Sequence, residues 1–171
     1  MGTVVAFANQ KGGVGKTTSA LNLGAYLAED GQRVLLVDFD PQANLTSGVG
    51  ADGEKPGAYE AISSGTPVEQ VIQPTTVPNM SVIPSSINLT GAAVELVDQQ
   101  DRAVYLKRVL DQIRDSFDFI FVDSPPSLGI LTVNGLVAAD QVLIPLQCEY
   151  FAMEGLTQLL QSIKRVQEGL N

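Results

Sequence analysis

Short apolar runs rich in β-branched and aromatic residues alternate along this chain with stretches of helical periodicity. The clearest runs cover residues 3–8, 33–37, 118–122 and 141–145, with a weaker one at 80–84. They read as nearly continuous apolar segments and not as strict apolar–polar alternation, which is the pattern of strands covered on both faces. Between the first two runs, Ala20, Leu21, Gly24, Leu27 and Ala28 recur at helical spacing up to Gly31, a residue suited to ending a helix. A last helix places Leu156, Leu159, Leu160, Ile163 and Val166 on one face and stops near Gly169. Residues 63–79 are rich in Thr, Pro, Gln and Ser and read as a loop with at most one short helix. Strand and helix in turn predict an α/β fold, a doubly wound and mostly parallel sheet with helices on both faces.

Composition narrows the class. The 171 residues suffice for one domain with a sizeable core, and 44% hydrophobic against 17% charged content describes a core-forming chain. The apolar runs are strand-sized and broken by Pro, Gly or charge, so they predict no membrane span, and no secretory signal pattern precedes the first strand. Cys148 has no second cysteine to pair with and reads as a small buried hydrophobe. A cytoplasmic location fits these features.

The net charge is -9 and histidine is absent. Phosphate affinity for nucleic acid comes from clustered Lys and Arg. Here Arg102, Lys107, Arg108 and Arg114 are interleaved with Asp101, Asp111 and Asp115, the pattern of a solvated helix face. Contact with DNA is therefore expected from outside these residues. Without histidine, catalysis rests on carboxylates, lysines, backbone amides and a metal.

Chemistry concentrates in the run Lys11, Gly12, Gly13, Val14, Gly15, Lys16, Thr17, Thr18, which follows a strand and opens a helix. Glycines there permit positive φ and let successive amides close around phosphate oxygens. The helix N-terminus adds partial positive charge. Lys16 supplies a full charge to the β- and γ-phosphates, Thr17 a hard oxygen for Mg²⁺, and Thr18 a donor to the α-phosphate. The run is a phosphate loop, although Gln10 stands where the usual pattern has glycine. Two acidic segments follow other strands: Asp38, Phe39, Asp40, Pro41, Gln42, and Asp123, Ser124, Pro125, Pro126. Ligands of open parallel sheets bind beyond the carboxyl ends of the strands, so all three segments converge on one crevice. Asp123 fits a carboxylate that holds Mg²⁺ through water, and an extended geometry points Asp38 and Asp40 the same way.

With a second lysine at Lys11, the loop resembles the deviant Walker A motif of the ParA/MinD superfamily of P-loop ATPases. Three further stretches resemble its ParA/Soj branch: Asp38 to Gln42 with Asn44, Ser47 and Gly48; Asp123 to Leu128; and Pro145, Leu146, Gln147, Cys148, Glu149, Tyr150 running to Glu154 and Gly155. The resemblance implies a Mg·ATP-dependent partitioning ATPase, in which ATP closes a homodimer and hydrolysis releases it. It implies that Lys11 reaches the partner's nucleotide, that Asp40 orients the attacking water, that Asp38 and Asp123 with Thr17 serve the metal, and that Pro126 lies in the dimer contact. Catalytic roles thus fall on Lys11, Lys16 and Asp40, nucleotide binding on residues 11–18, and metal binding on Thr17, Asp38 and Asp123. A ParB-type stimulating partner, non-specific DNA binding and a nucleoid-associated ATP state are implied as well. ATP in place of GTP rests on the resemblance alone.

One cysteine argues against the cluster-bridging relatives of the superfamily. A MinD-like membrane-associated ATPase and a nucleotide-binding fragment without turnover stay open. Asn171 follows a complete helix, where such a protein begins its next strand. The expectation is a single P-loop domain over 1–171 that lacks its C-terminal part, since family members continue for about another third to half of this length. With no arginine finger in these residues, slow turnover is expected.

Overall fold

Alternation within each buried strand sends neighbouring side chains to opposite faces, and both faces are apolar. The computed structural model describes residues 1–148 and 152–169. Its sheet holds β1 (Thr3–Phe7), β2 (Val34–Asp38), β3 (Gln73–Pro74), β4 (Met80–Ile83), β5 (Phe119–Asp123) and β6 (Gln141–Leu143), in the order β3-β4-β2-β5-β1-β6. All neighbours run parallel except β3 with β4. The expected doubly wound sheet is present.

The helices are α1 (Lys16–Glu29), α2 (Asn44–Gly48), α3 (Ala58–Ser63), α4 (Val68–Val71), α5 (Leu89–Glu95), α6 (Tyr105–Ile113), α7 (Ile130–Ala138) and α8 (Ala152–Gly169). On one face of the sheet Val4, Ala6, Leu35, Val37, Ile120 and Val122 join a core with residues of α3 to α8. On the other, Val5, Phe7, Val34, Leu36, Val82 and Phe121 pack with Ala20 and Ala28 of α1. Phe7 and Phe121 meet edge to face with centroids 5.1 Å apart. Each buried Val, Leu, Ile or Phe among these contributes about 1.5–3 kcal/mol over its exposed state. Small residues let α1 lie close to the sheet: a Cβ on Gly24 stands 2.8 Å from Leu36 Cδ2.

Helix α1 ends as its sequence predicts. Gly31 takes φ 88°, and its amide reaches the Ala28 carbonyl while the Gln32 amide reaches that of Leu27. This pair of bonds is the Schellman closure, which satisfies carbonyls otherwise left open. The first helical residue, Lys16, lies nine residues beyond the end of β1 and at the crevice side of the sheet.

Several expectations are corrected. Cys148 is exposed, because it lies past the end of β6 in a loop and not in the strand's buried continuation. Leu160 is 50% exposed, whereas Leu159 and Val166 are buried, so the inward face of α8 is narrower than its apolar spacing suggests. Residues 63–79 hold the short α4 and also β3, an edge strand of two residues, too short to leave a periodic signal. Arg114 leaves the solvated helix face: it bonds the Gly2 carbonyl and pairs with Asp140. Arg108 and Asp101, and Lys107 and Asp111, pair at the surface, in keeping with a solvated face. Glu149, Tyr150, the Glu154 side chain and Asn171 lie outside the described residues. No helix among the described residues is long and apolar enough to cross a membrane.

Gly57 marks where the fold tolerates no added atom, since a Cβ there stands 2.2 Å from the Pro84 carbonyl oxygen. Gly57→Ala should destabilise by roughly 1–3 kcal/mol through overpacking, read as a lowered Tm. At Gly91 of α5 the nearest contact is an ordinary 3.7 Å, so Gly91→Ala should hold or raise the Tm.

Candidate functional site

The carboxyl ends of β1, β5 and β2 lie side by side, with Phe7 level with Asp123 and Asp123 level with Asp38. The chain leaving β1 forms the phosphate loop, so this register alone brings the loop and two aspartates into one crevice. Gly13 and Gly15 take φ 74° and 91°, the left-handed region open to glycine. A Cβ on Gly12 or Gly13 meets nothing within 4 Å. Their surroundings are therefore free for an incoming group. Gly15 precedes the first turn of α1, whose amides face the same space.

A cavity of about 490 Å³ opens here. Gly12, Gly13, Gly15, Lys16, Thr17 and Thr18 form one side, Asp40, Gln42 and Asn44 another, and Pro126 a third; Leu21 and Asn22 of α1 extend it. Val14 and Lys11 do not line it. Lys11 is exposed, and its amide donates to Asn9 Oδ1 at 3.0 Å. Lys16 is 7% exposed, and its Nζ donates to the Lys11 carbonyl at 3.4 Å. Burial lowers the Lys16 pKa below the usual lysine range, while the charges of Asp123 and Asp40 pull it back up.

Asp123 is 1% exposed with the Thr17 hydroxyl near it, and its Oδ1 has no partner. Burial, and then the nearby charges of Asp38 and Asp40, raise its pKa to about 7 against the Thr17 hydroxyl and the Lys16 charge. An unpaired buried carboxylate oxygen beside a hydroxyl fits a hard cation. Among the described residues no group of three or more His, Cys, Asp or Glu could hold a metal ion by itself. A cation here would take most of its ligands from phosphate and water, as Mg²⁺ commonly does.

Asp38 is fully buried and lies behind the cavity wall. Its Oδ1 accepts the Asp40 amide at 3.2 Å, and its Oδ2 accepts the Thr46 amide at 2.8 Å and the Thr46 hydroxyl at 2.7 Å. Burial pushes its carboxyl up, and the Thr46 bonds oppose this. The shared orientation of Asp38 and Asp40 is corrected. β2 ends at Asp38 and the chain turns, with the Ala43 amide bonded to the Asp40 carbonyl at 2.9 Å. Strand alternation no longer applies, and of the two only Asp40 lines the cavity.

Two supports went unread in the sequence. Asn9 Nδ2 donates to the Pro145 carbonyl at 2.7 Å, and Thr46 holds Asp38. Neither belongs to a local pattern, because each acts through a partner remote in sequence or on a turn of unforeseen shape. Gln147, within the third stretch of resemblance, donates to the Gly13 carbonyl at 3.2 Å.

Comparison with known proteins agrees with this geometry. A family model described as an AAA domain matches residues 2–171. The chain is 60% identical over 172 residues to the chromosome-partitioning ATPase Soj of Treponema pallidum, covering 100% of this chain and 67% of that protein. It is 53% identical over 174 residues to the sporulation initiation inhibitor protein Soj of Bacillus subtilis, covering 100% and 68%. The chain thus spans about two thirds of the length of these curated relatives. Among solved structures, a Mycobacterium smegmatis protein named cobyrinic acid a,c-diamide synthase, with a bound ATP analog and magnesium, superposes with TM-score 0.95 at 43% identity, covering 100% of this chain and 70% of that one. A plasmid partition protein of Borrelia burgdorferi bound to AMPPNP gives 0.88 at 29%, covering 98% and 70%.

The buried Asp123 has a consequence for stability without ligand. Its carboxyl is raised in the fold, so between about pH 4 and 7 the native state holds a proton that the unfolded chain has released. Stability should therefore fall as pH rises through that window. Asp123→Asn, neutral throughout, should match the parent near pH 4 and exceed it at pH 8 by roughly 2–4 kcal/mol in nucleotide- and metal-free melts. Parallel pH profiles for the two proteins would contradict the assignment.

Proposed function

The chain belongs to the Soj/ParA family of P-loop ATPases, and from that premise we propose that it is the nucleotide switch of a DNA-partitioning ATPase. The observation that carries the reading is the cavity in which left-handed glycines, the start of α1, Lys16, Thr17 and Asp40 face one space. Asp123, buried close to Thr17, lies outside the lining and next to it.

The amides of residues 12–18 bind the phosphates of ATP, and Lys16 places its charge on the β- and γ-oxygens. Thr17 and, through water, Asp123 would hold Mg²⁺, which supplies charge neutralisation to the phosphates. Asp40 orients the attacking water at the cavity edge. Asp38 supports that edge from behind. Structural neighbours whose names carry an ATP analog or AMPPNP support ATP as the ligand, and magnesium accompanies the first of them.

Lys11 is exposed and outside the cavity of its own chain. That placement supports the role the resemblance implies, contact with the nucleotide of a second subunit. Pro126 at the cavity rim agrees with a dimer contact there. ATP-dependent homodimerisation, stimulation by a ParB-type partner and release on hydrolysis complete the reading. The -9 charge argues that DNA is contacted outside these residues. Greater identity to the Soj proteins than to the neighbour named as a synthase, 60% and 53% against 43%, favours partition over amide synthesis.

In the complete protein with Mg·ATP, Lys16→Ala should lose nucleotide binding, whereas Asp40→Ala should bind ATP and lose turnover by roughly a hundredfold. Phosphate release is the readout. Equal rates in parent, Lys16→Ala and Asp40→Ala would leave a binding module without turnover. Cosedimentation with plasmid DNA against anionic liposomes separates partition from membrane positioning, and ATP-dependent capture by liposomes alone would overturn the DNA assignment.

A further inference from the structure

The turn that carries Asp40 is held from behind by a buried polar relay. Ser85, two residues beyond the end of β4, donates its amide to Thr46 Oγ1 at 2.8 Å. The Thr46 hydroxyl gives its single proton to Asp38 Oδ2 at 2.7 Å, and the Thr46 amide reaches the same oxygen at 2.8 Å. Asp38 Oδ1 then accepts the amide of Asp40 at 3.2 Å. Asp38, Thr46 and Ser85 are each no more than 2% exposed, so water does not replace a missing member.

The turn itself needs such support. Ala43 has φ 53°, an uncommon conformation for a residue with a Cβ. Within the turn, Asp40 Oδ1 accepts the Gln42 amide at 3.0 Å. One end of this arc is anchored by Asp38 and the other by Thr46, which is itself fixed to β4 through Ser85. The relay therefore ties the position of Asp40 to two strands of the sheet, although neither Thr46 nor Ser85 lines the cavity.

We infer that Thr46 is a positioning residue for hydrolysis: through its hydroxyl it holds the turn at residues 38–46 so that Asp40 faces the reacting phosphate. The inference rests on the role proposed above for Asp40. Thr46→Val keeps the shape and the backbone amide but removes both the proton given to Asp38 and the acceptor used by Ser85. Thr46→Ser keeps both.

The test uses the complete protein and Mg·ATP, with three readouts: equilibrium ATP binding, single-turnover hydrolysis, and amide hydrogen exchange across residues 38–47 without nucleotide. For Thr46→Val, affinity should stay within about threefold of the parent while the hydrolytic rate falls by about tenfold or more, the signature of a misplaced catalytic group. Exchange across the turn should quicken. Thr46→Ser should restore the rate to within about twofold and the exchange to the parent level. Thr46→Ala carries the same expectation as valine and takes its place should the valine protein fail to fold. Parental rate and exchange in folded Thr46→Val would overturn the inference, as would equal loss of affinity and rate, or a serine variant no better than valine. Asp40→Ala is measured beside them: if it hydrolyses ATP like the parent, the underlying reading of Asp40 fails, whatever Thr46 does.

Discussion

Three carboxylates and one ammonium are held almost out of water at the carboxyl ends of adjacent parallel strands, and the site follows from that crowding. Asp38, Asp123, Asp40 and Lys16 are all 8% exposed or less. Burying charge is costly unless it is paired. A single lysine does not balance three aspartates, and the imbalance shows in the direction of the shifts. Asp38 and Asp123 are both pushed up, and Lys16 is depressed despite its acidic neighbours. Asp38 is compensated locally by three hydrogen bonds, whereas Asp123 keeps one oxygen without a partner. The deficit is therefore concentrated at one atom, beside Thr17 and facing the phosphate loop. A cation brought in with phosphate oxygens removes it.

Such a cluster needs a scaffold that does not relax to relieve it. The register that puts Phe7, Asp123 and Asp38 level with one another is locked by the two apolar layers, since a slip of one residue would exchange the faces. The close seat of α1 at Gly24 fixes the distance from its first turn to the sheet. Binding strength at the phosphate loop thus draws on core packing well away from it. The loops, in contrast, are fixed mainly by hydrogen bonds, so the rigid part sets direction and the polar part sets fine position.

What was legible in the sequence follows the same division. Strands β1, β2, β5 and β6, and more weakly β4, declared themselves as nearly continuous apolar runs, and the phosphate loop did so because its glycines answer a local backbone demand. The closure at Gly31 was equally local. Failures arose where geometry depended on distant partners. Asp38 and Asp40 look equivalent in a strand, but the chain turns after Asp38, and the Thr46 contact that shapes the turn has no periodic signature. Cys148 looks like core by residue type, yet β6 stops at Leu143 and leaves it on the surface. Leu160 continues an apolar face that the neighbouring elements do not cover.

The phosphate loop is not an isolated cradle, and its ties suggest how a bound nucleotide is felt elsewhere. Asn9 holds the Pro145 carbonyl, and Gln147 from the same following segment holds the Gly13 carbonyl. Two bonds therefore join the loop after β1 to the segment after β6, while Pro126 reaches the cavity from the segment after β5 and Asp40 from that after β2. A group that closes against residues 12–18 meets atoms from the segments after β1, β2 and β5, and the segment after β6 is tied to the first of these. Because the sheet beneath is locked, any adjustment to that contact would fall on the segments above it. A rigid floor with polar, interlinked walls is the arrangement through which occupancy of this one cavity would reach the surface.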